Sequence, residues 1–465
     1  MTPRFPLLPL AAASLMGLLA SMATGQTAEI PDSALLLRLD VTSSTGRPLA
    51  GVEIRLDDEV IGQTDALGEF CWPRKPLKPG RYKLVASLRG YLNGSLIVTI
   101  PPAEQGLPLK LKLELREGEA PGPPQVGVKK PNYQVYQVFY ATDRKQGNLN
   151  DAEQFYIGER NSTGQLELGI CNVSIPAHHT AGVVESPSWI RLEFHLDPEK
   201  HVIMYTPRPL DHDKFYGRLS DRIRHSSRKE AFVFIHGYNT RFADATKRAA
   251  QLAADLGFDG APIVYSWPSR GTFGGYWNDQ GANAWTVPHL RAFLEEVAKQ
   301  SGAERVHLIA HSMGNRALTQ ALNNITLNDS ADARPHFNHI VLAAPDVRVT
   351  VMKSLAQAMV PLGQKITLYG SQNDDALLIA KILDGVARAG QNVRDLVIPG
   401  IEAVDASAVR TDFIGHGYLV QSPSIIADLK QLLSDAPPQL RKLVPVKLAD
   451  LFYWRIPDTA VALGR

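Results

Sequence analysis

Cysteine is nearly missing from this sequence, which has Cys71 and Cys171 as its two cysteines among 465 residues. An exported protein could join them in a disulfide, but we expect them in different domains and therefore as two buried thiols. No spacing of cysteine and histidine resembles a zinc site, so the sequence predicts no metal centre.

The sequence also lacks an excess of charge, because 49 Lys and Arg residues oppose 47 Asp and Glu residues for a formal net charge of +2. It has no dense Lys/Arg block, so we expect no nucleic acid as a partner. With 44% hydrophobic and 21% charged residues, the composition is that of a folded globular protein. The length of 465 residues predicts two or three domains.

Long apolar runs are missing beyond the N-terminus, so no second candidate for a membrane span appears. The first residues combine a positive Arg4, an uncharged apolar run over 7–22, and small residues near Ala23 and Gly25. This order is typical of a cleaved signal peptide, which we place at residues 1–25. The sequence therefore predicts a periplasmic or secreted protein, with an uncleaved membrane anchor as the alternative.

Short strands separated by turn residues fill residues 34–116. The runs that are apolar or alternate at a period of two lie at 35–41, 51–56, 80–86, 96–100 and 109–115. Because no helical pattern interrupts them, this segment predicts an all-β sandwich.

The same segment resembles the carboxypeptidase-regulatory-like family. The similar stretches read TGRPLAGVEI at 45–54, QTDALGEF at 63–70, PGRY at 79–82 and GY at 90–91. The resemblance implies a transthyretin-like or Ig-like sandwich in a bacterial envelope protein. The resemblance implies no catalytic activity for this segment. It implies a role as a spacer or as a weak binding surface that contacts the cell envelope.

A linker and a second domain follow. Residues 117–131 are rich in Pro and Gly and predict a semi-rigid linker. In residues 132–435 short apolar runs alternate with helical patterns, which predicts an α/β domain with a mostly parallel sheet and helices on both faces. The predicted strands include 133–140, 231–235, 262–267, 305–310, 339–343 and 365–369; the predicted helices are 243–256, 289–300, 315–322, 376–387 and 424–433. Residues 436–465 predict a C-terminal extension that packs on this domain.

The strand at 305–310 runs into Ser312, and a helix is predicted from Asn315 onward. Small residues, Ala310 and Gly314, stand two positions before and two positions after the serine. A strand, a tight turn and a helix form the nucleophile elbow of an α/β-hydrolase, in which small neighbours let the backbone approach closely. The pattern therefore predicts Ser312 as a nucleophile, with an ordinary N-cap serine as the alternative.

A serine nucleophile needs a base and an acid that orients the base, and in this fold they follow in the order Ser, Asp or Glu, His. Asp374 and Asp375 come just after the strand at 365–369. We prefer Asp374 as the acid, and Asp375 stays the alternative because either one could instead cap the following helix. The last histidine, His416, lies between two glycines before the last helix, and we predict it as the base.

The oxyanion of an acyl-transfer reaction needs backbone N–H groups set in place before the reaction. One is predicted from Met313, the residue after the nucleophile. The other is predicted from Tyr238, in the loop after the strand at 231–235, where Gly237 lets the chain turn toward the site.

Aromatic residues are concentrated in residues 265–285. Because so much aromatic surface is costly to expose, the segment predicts the wall of a pocket for an apolar acyl or aromatic group. The predicted pocket residues are Trp267, Phe273, Tyr276 and Trp277. A loop packed on the sheet is the alternative, and Asp279 could anchor it.

Together, these stretches resemble a bacterial α/β-hydrolase family long catalogued as having no known function. The similar stretches read VFYATDR at 138–144, VSIP at 173–176, FIHGYNT at 234–240, YSWPS at 265–269, HLIAHSMGNR at 307–316 and LAAPDV at 342–347, followed by Asp374, Ala376 and Leu377. The resemblance covers roughly residues 133–433. It implies an α/β-hydrolase fold and a serine hydrolase of esterase or lipase type with Ser312, Asp374 and His416, but it supplies no substrate.

The sequence thus predicts an exported serine hydrolase that cleaves small-molecule carboxylic esters through an acyl-Ser312 intermediate. This chemistry needs neither a metal nor an organic cofactor. An amidase or a peptidase would use the same residues. An envelope binding or scaffold protein with an inactive hydrolase domain is the alternative from a different class.

Overall fold

The computed structural model describes residues 35–43, 46–56, 59–65, 67–73, 80–88, 94–100, 109–115, 132–149, 151–186, 196–272, 275–374, 377, 386–409, 422–449 and 451–457. The chain divides into two compact units, residues 1–128 and 129–465. The predicted signal peptide and the predicted linker lie outside the described residues, so both stay predictions.

The described part of the first unit forms strands, as its alternating sequence predicts. They are β1 (Leu35–Ser43), β2 (Glu53–Leu56), β3 (Glu59–Gln63), β4 (Glu69–Pro73), β5 (Gly80–Ser87), β6 (Gly94–Ile100) and β7 (Leu109–Leu115). They form one sheet in the order β4-β1-β7 and a second in the order β3-β2-β5-β6. Neighbouring strands run antiparallel except β1 and β7, which are parallel.

A shared apolar core joins the two sheets of the first unit. Leu37, Leu39 and Val41 of β1 are buried at every second position, so one face of the strand points inward. No disulfide joins Cys71 and Cys171. The thiol of Cys171 is buried as predicted, whereas the prediction of a buried Cys71 is wrong, because this residue is exposed on β4.

The second unit is built on a 12-stranded sheet with a small separate ribbon. Its strands are β8 (Tyr133–Thr142), β9 (Arg144–Gln146), β10 (Tyr156–Arg160), β11 (Glu167–Pro176), β12 (Ile203–Met204), β13 (Arg208–Leu210), β14 (Glu230–Ile235), β15 (Ala261–Ser266), β16 (Arg305–His311), β17 (Phe337–Ala343), β18 (Gly363–Gly370), β19 (Ile401–Asp405), β20 (Val444–Leu448) and β21 (Leu451–Arg455). The strand order is β12-β11-β8-β15-β14-β16-β17-β18-β19-β21-β20, with β13 beside β11.

From β8 to β21 the neighbouring strands of this order run parallel. Strands β11 and β20 pair antiparallel with their neighbours and flank the parallel part. Every residue of β14 and of β15 is buried, because both faces of the sheet are covered. The predicted mostly parallel sheet is therefore confirmed.

Helices cover the sheet on both faces. The described α-helices of at least eleven residues are α1 (His212–Arg224), α2 (Phe242–Leu256), α3 (Tyr276–Gln300), α4 (Gly314–Asn328), α5 (Val349–Met359) and α6 (Pro423–Leu433). Two apolar clusters result, one on each side of the sheet. None of the described helices is long and apolar enough to cross a membrane. The helix predicted at 376–387 falls mostly outside the described residues.

Helix α3 is longer than the sequence predicts. It begins at Tyr276 rather than at His289, so much of the aromatic segment is helical and is not a loop. Gly281 and Pro288 are poor helix formers, and they hide the helical pattern. The buried face of this part is polar, with Asn283 donating a hydrogen bond to the Met313 carbonyl at 3.2 Å. Tertiary contacts such as this bond to the turn after β16 therefore stabilise a helix that local sequence preference does not indicate.

The C-terminal extension completes the sheet, which goes beyond the prediction that it packs on the domain. Strand β21 pairs with β19, so that Val404 lies opposite Trp454. Strand β20 then closes an antiparallel hairpin at the sheet edge. The core of the second unit thus extends past residue 435, because Tyr453 and Trp454 are buried in it.

Candidate active site

Ser312 lies in a strained turn between β16 and α4. Its backbone φ is 52°, a left-handed conformation that residues with a Cβ rarely adopt. The turn holds Ser312 and Met313 between the end of the strand and the first helical residue. The Ser312 N–H donates to the Ala343 carbonyl at 2.9 Å on the neighbouring strand. This is the strand, turn and helix arrangement of a nucleophile elbow.

Two glycines let the loop after β14 approach this turn. A Cβ added to Gly237 would lie 2.9 Å from the Ser312 Cβ. A Cβ added to Gly314 would lie 2.4 Å from the His236 carbonyl oxygen. Both distances are shorter than atoms tolerate, so glycine is required at each position. The loop that carries Tyr238 therefore lies directly beside the predicted nucleophile.

The loop over residues 236–239, here called the oxyanion loop, is held by His236. The His236 ring is buried and stacks on the Trp267 ring at 4.9 Å. The Trp267 Nε1–H donates to the His236 carbonyl at 2.8 Å. Asn239 closes the loop with a φ of 55°, a conformation that asparagine accepts more readily than most residues.

His236 is neutral in this setting. Burial lowers the pKa of His236 well below its usual value, and the charge of Arg144 lowers it further. Its Nδ1 lies 2.8 Å from the Gly237 carbonyl, whereas Nε2 lies 3.2 Å from the Trp267 carbonyl and faces the Arg144 guanidinium. Because the guanidinium can only donate, Nδ1 carries the proton. Nε2 is then an acceptor for the Arg144 guanidinium at 3.2 Å.

Arg144 is a residue that sequence reasoning missed as a part of the site. It follows β8 and is fully buried, and burial lowers its pKa to about 10. The sequence carries one signal for it, the VFYATDR stretch that resembles the hydrolase family, in which Arg144 is the last residue. That stretch had no assigned role.

Asp374 follows β18, at the same edge of the sheet as Ser312. The residue is 1% exposed, and its carboxylate accepts a hydrogen bond from the Leu377 N–H at 2.9 Å. Strands β16, β17 and β18 are consecutive neighbours in the sheet, so their carboxyl ends meet at one edge. His416 and Asp375 lie outside the described residues, and the triad stays a prediction.

The predicted pocket residues fall into different environments. Trp267 is fully buried against His236, so its described contacts support the oxyanion loop. Trp277 is 60% exposed. The Tyr276 ring meets the Tyr238 ring edge-on at 5.4 Å. Phe273 lies outside the described residues. Their role as a pocket wall stays a prediction.

Polar contacts fix the start of α3 near the site. The buried Asp279 accepts from Ser269 Oγ at 2.5 Å and from the Arg270 N–H at 2.9 Å. It also accepts from the Asn239 N–H at 3.3 Å, within the oxyanion loop. The predicted anchoring role of Asp279 is therefore confirmed, although it anchors a helix to two loops.

Asp346 and Arg316 form a charged cluster next to Ser312. The Asp346 N–H donates to the Ser312 carbonyl at 3.2 Å. The Asp346 carboxylate accepts from Arg316 at 3.0 Å and from the Tyr276 hydroxyl at 3.1 Å. These bonds join α3, α4 and the loop after β17 around the elbow. Among the residues that the structure describes, no group of three or more metal-binding side chains occurs.

Comparison with known proteins gives one family match. Residues 211–435 match the model described as alpha/beta hydrolase of unknown function (DUF900). No curated protein matches the chain.

Two solved structures show distant similarity. The Bacillus anthracis TIE protein is 11% identical with a TM-score of 0.15, over 38% of this chain and 26% of that one. The Pyrococcus horikoshii acylaminoacyl peptidase is 10% identical with a TM-score of 0.27, over 79% of this chain and 51% of that one. The chain thus spans a quarter to a half of these proteins, and scores this low carry no conclusion about function.

Proposed function

Because residues 211–435 match the model of an α/β-hydrolase family of unknown function, we propose that this chain is an exported serine hydrolase that cleaves carboxylic esters. The observation that carries the proposal is the turn at Ser312, where a φ of 52° and the close approach of Gly237 combine. Backbone strain of this kind costs free energy and persists where function maintains it.

In the first step, Ser312 Oγ attacks the ester carbonyl carbon while His416 takes the hydroxyl proton. The carbonyl oxygen becomes an oxyanion, which accepts hydrogen bonds from the N–H groups of Tyr238 and Met313. When the tetrahedral intermediate collapses, the bond to the alcohol breaks. The departing alkoxide takes the proton from His416, and the acyl group stays on Ser312.

In the second step, water attacks the acyl-Ser312 carbonyl carbon and gives a proton to His416. Collapse of this intermediate releases the carboxylic acid and returns the proton to Ser312 Oγ. The buried carboxylate of Asp374 would orient the His416 ring and stabilise its cation in both steps. Each step uses side chains of this chain and water.

The first experiment is labelling with a fluorophosphonate, which reacts with an activated serine. The wild-type protein is expected to label, and Ser312→Ala is expected not to. Ser226→Ala is the matched control, because Ser226 is also buried but donates to the Ile223 carbonyl at the end of α1. Folded wild-type protein that does not label would favour the scaffold alternative.

A second experiment assigns the acid. Asp374→Asn is expected to lower kcat by roughly 10³- to 10⁴-fold, because the histidine loses its orientation. Asp375→Asn is expected to leave kcat nearly unchanged. The reverse result would move the role of the acid to Asp375.

A substrate series tests the ester proposal. Nitrophenyl esters of increasing acyl length, together with matched anilides, separate esterase from amidase activity and short from long acyl groups. We expect turnover of esters and much slower turnover of anilides, because an amine is the poorer leaving group.

The proposed export is tested on protein made in a bacterial host with the full N-terminus. Cleavage near residue 25 and recovery from the periplasm or medium are expected. Cytoplasmic protein with an intact N-terminus would contradict export and leave the proposed chemistry untouched.

A further inference from the structure

Arg144 has an unusual environment for an arginine. Its side chain is fully buried, and among the residues that the structure describes no carboxylate pairs with it directly. Burying a charge is costly, and the nearby Asp143 and Asp279 carboxylates, which raise the pKa of Arg144, do not outweigh the effect of that burial. Such a residue is retained where its hydrogen bonds have a structural or functional consequence.

All five N–H groups of the Arg144 guanidinium have an acceptor. Nε donates to Ser266 Oγ at 2.9 Å, and Nη1 donates to the carbonyls of Ser269 at 2.8 Å and Ile157 at 3.5 Å. Nη2 donates to the Thr240 carbonyl at 2.8 Å and to His236 Nε2 at 3.2 Å. The planar guanidinium thereby connects segments that are about a hundred residues apart in the chain.

Two of these bonds hold the ends of the oxyanion loop. His236 begins the loop, and Thr240 follows its last residue. Gly237 and Tyr238 lie between them, and a Cβ added to Gly237 would lie 2.9 Å from the Ser312 Cβ. The guanidinium therefore fixes both ends of the short loop that would present the Tyr238 N–H to the oxyanion.

A second set of bonds fixes the Arg144 acceptors themselves. Ser269, whose carbonyl accepts from Arg144, uses its hydroxyl to accept from the Thr240 N–H at 3.0 Å and to donate to Asp279 at 2.5 Å. Asp279 in turn accepts from the Asn239 N–H at 3.3 Å. The loop is thus bonded from the sheet side by Arg144 and from the α3 side by Asp279.

We propose that Arg144 is a positioning residue for the oxyanion hole. The inference rests on the proposed function and extends it to a residue that touches neither the substrate nor Ser312. Its guanidinium holds His236 and Thr240, and through them it sets the position of the Tyr238 N–H relative to Ser312 Oγ.

Lysine cannot replace arginine in this role. An ammonium group has three N–H donors around one atom, whereas Arg144 uses five donors in one plane. Arg144→Lys therefore leaves acceptors of the loop unpaired and lets the loop shift. Because an oxyanion hole binds the transition state more strongly than the substrate, a shifted loop lowers kcat more than it raises KM.

The test compares wild type with Arg144→Lys on a nitrophenyl ester, with active sites counted by fluorophosphonate titration. Arg144→Lys is expected to lower kcat per active site by about 10- to 100-fold with little change in KM. The inhibition constant of a boronic acid, which forms a tetrahedral adduct with the serine, is expected to rise by the same factor. A smaller amount of folded protein alone changes neither quantity. The value of kcat is calculated per titrated active site, and the inhibition constant does not depend on the enzyme concentration.

Arg248→Lys is the matched control. Arg248 lies in α2, its pKa is likewise lowered to about 10 by burial, and it donates to the Gly182 carbonyl at 3.0 Å, outside the oxyanion loop. This variant is expected to change stability but to keep kcat per active site and the inhibition constant of the boronic acid.

Ser266→Ala provides a second variant in case Arg144→Lys does not fold. It removes the Ser266 Oγ, which accepts from Arg144 Nε at 2.9 Å and also lies 3.3 Å from His236 Nε2. The variant keeps the other Arg144 bonds and is expected to lower kcat and weaken boronic acid binding by the same factor, about 2 to 10. If wild type labels with the fluorophosphonate but the folded variants keep the kcat and the boronic acid inhibition constant of wild type, the inference is overturned. A wild type that does not label would instead overturn the proposed function.

Discussion

Residues with positive φ mark three neighbouring strand ends of the second unit. Asn239 follows β14, Ser312 follows β16 and Ala344 follows β17, with φ values of 55°, 52° and 44°. Each costs about 1–2 kcal/mol relative to a relaxed conformation. The three strands are adjacent in the sheet. Three of the seven described non-glycine residues with positive φ thus lie at the edge where the predicted nucleophile lies.

A methyl group at Gly237 should separate the oxyanion loop from the nucleophile. The added Cβ would lie 2.9 Å from the Ser312 Cβ and 3.1 Å from His311 Nδ1. Because these atoms belong to the elbow, the loop has to move, and Gly237→Ala is expected to lower kcat by about 10²- to 10³-fold. Ester hydrolysis per titrated active site measures the effect.

Gly217→Ala is the control for this substitution. Gly217 lies in α1 with no atom within 4 Å of an added Cβ, so alanine should stabilise the helix by up to about 1 kcal/mol and leave kcat unchanged. If Gly237→Ala kept full activity, the loop would not supply an oxyanion donor.

At the level of single residues, the sequence predicts what local chemistry requires. Ser312, with small residues on both sides, is recognisable because a tight turn needs them. Arg144 is not, because its acceptors Ser266, Thr240 and Ser269 come from distant segments and only the folded sheet brings them together. The aromatic type of Trp267 suggests a pocket wall, but only the structure shows its buried stack on His236.

At the level of elements, the starts of the central strands carry a buried polar network. His307 on β16 and His339 on β17 stack at 5.1 Å. His307 Nε2 lies 3.3 Å from the Glu230 carboxylate, and His339 Nε2 donates to Asp435 at 2.8 Å. The Nδ1 atoms of both rings have no hydrogen-bond partner among the described residues, so a proton added there would be unsatisfied.

This network makes stability depend on pH. Burial, and the nearby His307, lower the pKa of His339 from 6.5 to about 4. Between these pH values His339 is protonated in the unfolded chain but neutral in the folded chain. The free energy of unfolding therefore decreases as the pH falls from about 6.5 to about 4. His339→Gln should reduce proton uptake on unfolding by about one across this range, as measured by urea denaturation at several pH values.

His178→Gln is the control for this measurement, because His178 is exposed. It should leave the pH dependence of unfolding as in wild type. An equal pH dependence for His339→Gln and wild type would show that another group is responsible.

Strand β21 offers a test of the C-terminal boundary. Trp454 is 8% exposed, whereas Phe452 in the same strand is 56% exposed. Trp454→Ala is expected to cost about 3–5 kcal/mol of unfolding free energy. Phe452→Ala should cost about 1 kcal/mol, chiefly its ring contact with Trp454. Equal small costs, measured by denaturation, would mean that β21 does not contribute to the core.

The spacing of apolar residues along the sequence predicts those strands and helices that have a regular apolar face. Strand β14 and helix α2 were predicted to within one residue at each end, because an apolar run and an apolar stripe define them. The first half of α3 was missed because Asn283 and Asp279 face inward and break the stripe. The short strand β4 was missed because EFCWP is too brief to show a period.

At the level of the whole molecule, each unit has its own core. All predicted catalytic residues belong to residues 129–465. We therefore expect this part, produced alone, to hydrolyse a small soluble ester with nearly the kcat and KM of the mature chain. Circular dichroism and active-site titration establish that it is folded. A folded but inactive second unit would show that the first unit is required for catalysis.

The buried guanidinium of Arg144 has a consequence for biosynthesis. A ribosome releases Arg144 about a hundred residues before Thr240 and 125 residues before Ser269, which provide its acceptors. Until those carbonyls emerge, the cation stays hydrated and β8 cannot take its place beside β15. A chain that ends before Ser269 therefore cannot hold the oxyanion loop in place.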